Sequence, residues 1–353
     1  MNNKIAIAAL LVVMSCSSGQ IMQIDNDFPV VCNLDDYEII DIPDFIDDLK
    51  TNGKYIVYRL SSKLSDKDQL ACLIDTRNNF KQYFIGFGRG PGETTNILDL
   101  SFYDEKTVLA CVDPETIMLF DTDSLIGGRT APVFTYRLAN GQYAFPNIVK
   151  ISDSVLYCGK NMEDVDNSTN WCIEDIASGK IRCFGEYPDN DMTRAIPAHD
   201  YSRQTAYQTP IALSPNKKHA VAYFFYTLGF DILDVEKARV SSSHVYSPLG
   251  VEVRYNDVLN ANFVSKDPGA LRGFLEAAVT ERYIYLLASL KKFEDDNYAS
   301  GREVYRYFWD GTPDRHFHLN LPTCSIAVSS DDKTLYAIKN GVNHDSLVKY
   351  VIE

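Results

Sequence analysis

No stretch of the 353 residues is apolar for long enough to cross a bilayer: the longest run, residues 5–14, falls far short of the roughly 20 residues a membrane helix needs. Basic clusters are scarce as well. Lys and Arg number 34 against 48 Asp and Glu, a net charge of −14, and the only basic doublets are Lys217-Lys218 and Lys291-Lys292. A protein that follows phosphates needs a basic face, so nucleic acid is excluded as a partner, and surface charge disfavours attachment to anionic lipid. No CxxC pair occurs among the eight cysteines, which removes zinc ribbons and dithiol redox centres. Gly-x-Ser-x-Gly, His-Glu-x-x-His and the Gly-Lys-Ser/Thr of a phosphate loop are missing too. Two Ser-x-x-Lys matches, beginning at Ser214 and Ser330, lack their companion motifs and fall in turn sequences. His316 and His318 would share one face of a strand and are read as part of an exposed outer strand rather than as metal ligands. The acidic run Asp295-Asp296-Asn297 matches a calcium loop in composition only. Accordingly no catalytic residue, metal ligand or cofactor is assigned.

What is present is a chain that folds: 45% of it is hydrophobic and 12% aromatic. At its start, Asn2-Asn3-Lys4, the apolar run and Ser15-Cys16 have the layout of a secretory signal. Val13-Met14-Ser15-Cys16 resembles the bacterial lipobox, which implies cleavage before Cys16 and lipidation of its thiol. The alternative is an ordinary signal with an incidental cysteine. The expected organisation is a signal over residues 1–15, a lipidated tether over 16–27 and one domain over 28–353. The other seven cysteines lie singly in apolar runs and read as small buried hydrophobes, with one bridge among Cys158, Cys172 and Cys183 left open.

Runs of four to eight residues rich in Val, Ile, Tyr and Phe recur between turn signals, and a sustained helical period is almost absent. Strands are predicted over 55–60, 107–112, 154–158, 219–226, 283–288 and 334–338. The apolar spacing of 268–278 fits a helix, or a short turn leading into a strand. An apolar strand ending in an acidic residue before a polar turn repeats at Asp75, Asp121, Asp175, Asp234 and Asp310. Aspartate there accepts the backbone N–H groups just ahead of it. A second phrase, strand, polar turn, strand, runs through Ser214-Pro215-Asn216-Lys217 and Ser329-Ser330-Asp331-Asp332.

These repeats predict an all-β fold, a six-bladed β-propeller with four-stranded antiparallel blades near 39–88, 97–138, 147–187, 207–246, 251–321 and 325–353. The last blade offers only three strands, so the ring should be closed by an N-terminal strand, expected over 28–34. Seven blades or a mixed sandwich are the alternatives.

The run Tyr83-Phe84-Ile85-Gly86-Phe87-Gly88-Arg89-Gly90-Pro91-Gly92-Glu93, behind a lipobox and ahead of Met118-Leu119-Phe120-Asp121, resembles the TolB-like six-bladed β-propeller lipoproteins of Gram-negative bacteria. The resemblance implies an exported, lipid-anchored propeller of the cell envelope, with the outer membrane expected and the periplasmic or surface face left open. It carries over no catalytic residue.

Gly90 to Glu93 suits a type II turn, with Pro91 and Gly92 at its centre. It reads first as a crossover between blades; the sharper reading puts Arg89 and Glu93 at the mouth of the central channel as ligand-binding groups. The crossover 187–207 is the most polar and aromatic, and its Arg194, His199, Tyr201 and Arg203 are the other candidates for binding a ligand. Two functions are carried forward. One is a non-enzymatic binding or scaffold propeller for a protein, peptide or glycan, held to the membrane by its lipid. The other is a metal-dependent propeller hydrolase or lactonase with a divalent cation in the channel.

Overall fold

The structure, a computed structural model, describes residues 24–61, 68–113, 115–138, 147–158, 169–187, 201–258, 261–341 and 344–352. Six antiparallel sheets follow one another along the chain, each a blade whose first strand is innermost. The innermost strands are Ile46–Thr51, Asp99–Asp104, Ile148–Ile151, Ile211–Leu213, Phe274–Val279 and Ile326–Val328 for blades 1 to 6. The predicted strands at Tyr55–Leu60, Ser154–Cys158 and Tyr283–Ala288 appear with those limits.

Within each blade the side chains alternate between the two faces, and a neighbouring blade covers each face. In Tyr55–Leu60, Tyr55 and Val57 pack toward blade 2, while Ile56 and Tyr58 pack toward blade 6. The same alternation builds one apolar core between every adjacent pair of blades. At about 1.5–3 kcal/mol for each large side chain fully removed from water, these six cores hold the ring together.

The repeated aspartates do what their position predicts. Asp75, Asp121, Asp175, Asp234 and Asp310 each accept a backbone N–H from two or three residues ahead, at 2.7–3.1 Å. The second phrase is equally regular. Ser214 N donates to His219 O and Ser329 N to Thr334 O, both at 2.9 Å, and Lys217 and Asp332 occupy the same left-handed corner at φ 62° and 61°. The two Ser-x-x-Lys matches therefore lie in the hairpins that join first and second strands.

Two details differ from expectation. The ring is closed by Glu38–Asp41, which pairs antiparallel with Ser346–Val351 of blade 6, and not by residues 28–34. Val31–Leu34 instead lies parallel along Pro313–Thr323 as a fifth strand of blade 5. The reason is local: Phe28, with ring centroids 5.1 Å from those of both Tyr305 and Tyr307, pins this segment to blade 5 before it reaches the gap. Of the two readings of 268–278, the strand is observed. Phe274–Val279 is the innermost strand of blade 5, preceded by the added hairpin Val251–Asn256 and Ala261–Lys266.

Candidate functional site

The six innermost strands surround an axial cavity of about 590 Å³ that opens among the hairpins joining first to second strands. Those hairpins are tied to one another around the mouth. Asn52 Nδ2 donates to Glu105 O at 3.0 Å, Lys150 Nζ to Tyr103 Oη at 3.4 Å and Asn216 Nδ2 to Glu281 Oε2 at 2.7 Å. Tyr285 Oη reaches Asp332 Oδ1 at 3.0 Å, and Ser330 Oγ reaches Asn52 O at 3.5 Å. Lys217 Nζ sits 3.3 Å from the Tyr103 ring centroid and Lys150 Nζ 4.7 Å from it. These two cations lower the Tyr103 hydroxyl below the usual phenol range against the effect of its burial.

Every blade sends a polar group to the floor. Blade 1 supplies Asp48 and Lys50, whose Nζ lies 2.7 Å from Asp48 Oδ1 and 3.1 Å from Glu276 Oε1 of blade 5. Blade 6 supplies Ser325, its Oγ 3.2 Å from Asp48 Oδ1, 3.5 Å from Glu276 Oε2 and accepting from Leu49 N at 3.2 Å. Tyr223 of blade 4 donates its hydroxyl to Glu276 Oε1 at 3.3 Å. Asn147, at the start of blade 3, donates to Asp99 Oδ2 of blade 2 at 3.3 Å and exchanges two bonds with Ile211 of blade 4.

Asp48 and Glu276 are aimed by the same device. The register slips between Ile46 and Asp48 and again between Phe274 and Glu276. Each bulge turns the acidic side chain inward, a recurrent use of bulges beside functional sites.

The floor's charges are unequal in setting. Burial would raise Asp48, but the attraction of Lys50 and Arg59 wins and holds its carboxyl below the usual range. Burial lifts Glu276 to about 8 against the attraction of Lys50, with Asp48 and Asp99 adding repulsion of its charge. Burial lifts Asp99 to about 6. Burial opposes the charge on Lys50, yet Asp48, Glu276 and Asp99 together keep its ammonium protonated well above the usual lysine range. Lys50 is thus a fixed cation, unsuited to act as a nucleophilic amine.

Asp99 alone of the three carboxylates stands apart from the ammonium. Among the described residues its one hydrogen bond comes from Asn147, and its other oxygen has no partner. Two of the carboxylates hold a lysine between them, and among the described residues no group of three or more His, Cys, Asp or Glu is arranged to hold a metal ion.

The residues singled out from sequence lie elsewhere. Arg89 and Glu93 are exposed at the crossover between blades 1 and 2, at the opposite end of the strands from the cavity mouth, and line no part of it. The type II turn is present: Gly92 has φ 77° and Glu93 N donates to Gly90 O at 3.0 Å. Glu93 folds back over the glycines and accepts from Gly90 N at 2.8 Å, so its carboxylate braces the crossover. Arg194, His199 and the lipobox cysteine Cys16 lie outside the described residues. Tyr201 and Arg203 belong to the short helix Tyr201–Ala206, with the Arg203 guanidinium 5.9 Å from the Tyr187 ring centroid. His316 and His318 share one face as expected, both on the Glu303 carboxylate, at 2.6 and 2.8 Å, but the strand is not an exposed outer one: Val31–Leu34 covers it and His316 is buried. The floor residues Asp48, Lys50 and Glu276 had no motif to announce them.

The family model that the chain matches agrees with this architecture. Residues 50–331 match the family model described as TolB-like 6-blade propeller-like. A solved structure of a member of the DUF4221 family from Bacteroides vulgatus is 10% identical, covers 90% of this chain and 95% of its own, and superposes with a TM-score of 0.54. The β-propeller domain of Myceliophteria thermophila Cps50 (Swd1), 11% identical over 90% of this chain and 100% of its own, gives 0.47. The WD40 repeats of RRP9, 11% identical over 90% and 98%, give 0.49. No curated protein sequence matches the chain.

Proposed function

The chain belongs to the TolB-like six-blade propeller family, and from that premise we propose that it is an exported binding propeller, anchored to the envelope through a lipid on Cys16, that takes its ligand into the axial cavity without transforming it. The observation that carries the reading is the cavity itself. At about 590 Å³ it falls within the range of small-ligand sites, with apolar walls and a few convergent polar groups on its floor. Lipid anchoring rests on the lipobox-like residues 13–16 alone.

Binding ranks above metal-dependent hydrolysis because Lys50 already occupies the place among the carboxylates where a divalent cation would have to sit. Thermal unfolding of the protein against peptides, oligosaccharides and divalent cations tests this, since a ligand at 100 times its Kd adds about 2.7 kcal/mol. The expected shift disappears when Ser101→Trp fills the cavity from the Asp99–Asp104 strand. A shift that survives this substitution places the ligand outside the cavity. A shift with a divalent cation, lost in Glu276→Gln, restores the hydrolase. Replacement of Cys16 by Ser is expected to release the protein from membranes, and a protein still in the membrane fraction would overturn the anchor.

A further inference from the structure

Among the described residues the floor carries three carboxylates with one ammonium in contact with them, and the carboxylate outside that contact, Asp99, keeps an oxygen without a hydrogen-bond partner on the cavity wall. The opposite end of the cavity carries the ammonium groups of Lys54, Lys106 and Lys150, interleaved with the carboxylates of Asp104, Glu105 and Glu281. From Asp99 to Tyr103, where Lys150 is held, is four residues of one strand, roughly 13 Å at about 3.3 Å per residue. The wall between is mainly apolar, with Leu109, Val149, Ile211 and Val328 among its side chains. The ring of Tyr103, which lines the cavity with Phe102 and Tyr223, is taken up by the Lys150 and Lys217 ammonium groups.

Building on the cavity reading above, we propose that the ligand is a short peptide of about three residues with a free amino terminus, which enters first and is met by Asp99, while its terminal carboxylate lies among the lysines of the mouth. An extended chain of three residues spans about 10 Å. That leaves both charged ends within reach of side chains of opposite sign. A floor ammonium would also meet Glu276, beside Lys50, Asp48, Tyr223 and Ser325, with Arg59 close enough to act on Asp48 and Asp99. Because burial holds protons on Asp99 and Glu276, an arriving ammonium expels them, and binding releases protons near pH 6.

The test uses a randomised tripeptide pool with free termini, the same pool N-acetylated, the same pool C-amidated, and maltotriose. Thermal unfolding and calorimetry in two buffers of different ionisation heat are read for the unsubstituted protein, Asp99→Asn and Ser101→Trp. The free pool is expected to shift the transition and release protons. Acetylation and Asp99→Asn should each weaken binding at least tenfold, and no further when combined. Equal binding of the acetylated pool, or an unchanged response in Asp99→Asn, overturns the proposal, and the acetylation arm needs no variant to fold. Maltotriose binding that Ser101→Trp abolishes overturns the peptide class while leaving the cavity reading in place. No response to any peptide pool overturns the peptide. If the wider panel of oligosaccharides and cations is silent as well, the cavity reading falls with it.

Discussion

Lys50 is the residue on which the floor depends. Its ammonium is mostly buried and neutralises two carboxylates, so Lys50→Met leaves Asp48 and Glu276 facing each other, with Arg59 the remaining cation that acts on Asp48 and Asp99 among the described residues. Breaking a buried pair from one side costs about 3–5 kcal/mol. Chemical denaturation should find the variant destabilised by about 3 kcal/mol, and a loss below 1 kcal/mol would show that water already screens the cluster. Glu276 and Asp99 set a pH dependence of a definite sign. Their folded values, about 8 and about 6, lie above those of unfolded carboxyls, so between roughly pH 4 and 8 the native state binds more protons than the unfolded one. Stability therefore falls as pH rises through that window and levels off above it. In Glu276→Gln the decline between pH 6 and 8 should flatten, which melting temperatures across the range would register; an unchanged slope would assign it to other groups.

At the scale of strands, the third and fourth strands of blade 3 bring Cys172 and Cys183 directly opposite each other, with Sγ atoms 2.7 Å apart. Directly opposed positions on antiparallel strands have the Cα separation a disulfide needs. Oxidised glutathione should join this pair and leave Cys158, whose Sγ lies 3.2 Å from Asn170 Oδ1, as a thiol. A non-reducing peptide map that links Cys158 to either neighbour, or links nothing, would refute this. Much at this scale was legible in the residues themselves. The turn aspartates, the strand-turn-strand phrase and the Gly90–Glu93 turn are local hydrogen-bonding devices, and a local device leaves a local pattern. The floor was not legible for the converse reason. Asp48, Lys50, Asp99, Glu276 and Ser325 come from four blades and meet only when the ring closes. Glu276 was hidden further, inside a stretch whose apolar spacing imitates a helix and is interrupted by a bulge. The closing strand was misplaced by one segment because 28–34 and 38–41 have similar short extended patterns, and only Phe28 against Tyr305 and Tyr307 decides between them.

For the molecule as a whole, closure is supplied by four residues. Glu38–Asp41 covers the outer edge of blade 6, and Ile42 beyond it is fully buried between blades 6 and 1. A chain shortened to begin at residue 44 exposes the edge of Ser346–Val351, and unpaired edges template association. Size-exclusion chromatography should find it self-associating, and scanning calorimetry should find a melting temperature lower by several degrees. A monomer with an unchanged transition would mean that the six apolar cores close the ring unaided.

The N-terminal segment also determines how a pull would travel through the protein. Ile24 and Phe28 are buried in the core between blades 4 and 5, Val31–Leu34 runs along the rim of blade 5, and Glu38–Asp41 ends in blade 6. The chain thus wraps the outside of the ring like a strap before it enters. On the proposed anchoring through Cys16, the eight residues to Ile24 would reach at most about 28 Å, which would keep the side wall near blades 4 and 5, rather than the mouth, next to the bilayer. Tension on the anchor would peel this strap before it strained any blade. Force spectroscopy through the N-terminus should record a small early step ahead of blade unfolding, and one large first rupture would contradict it. A propeller moored in this way can be tugged by its membrane while the cavity at its axis keeps its shape.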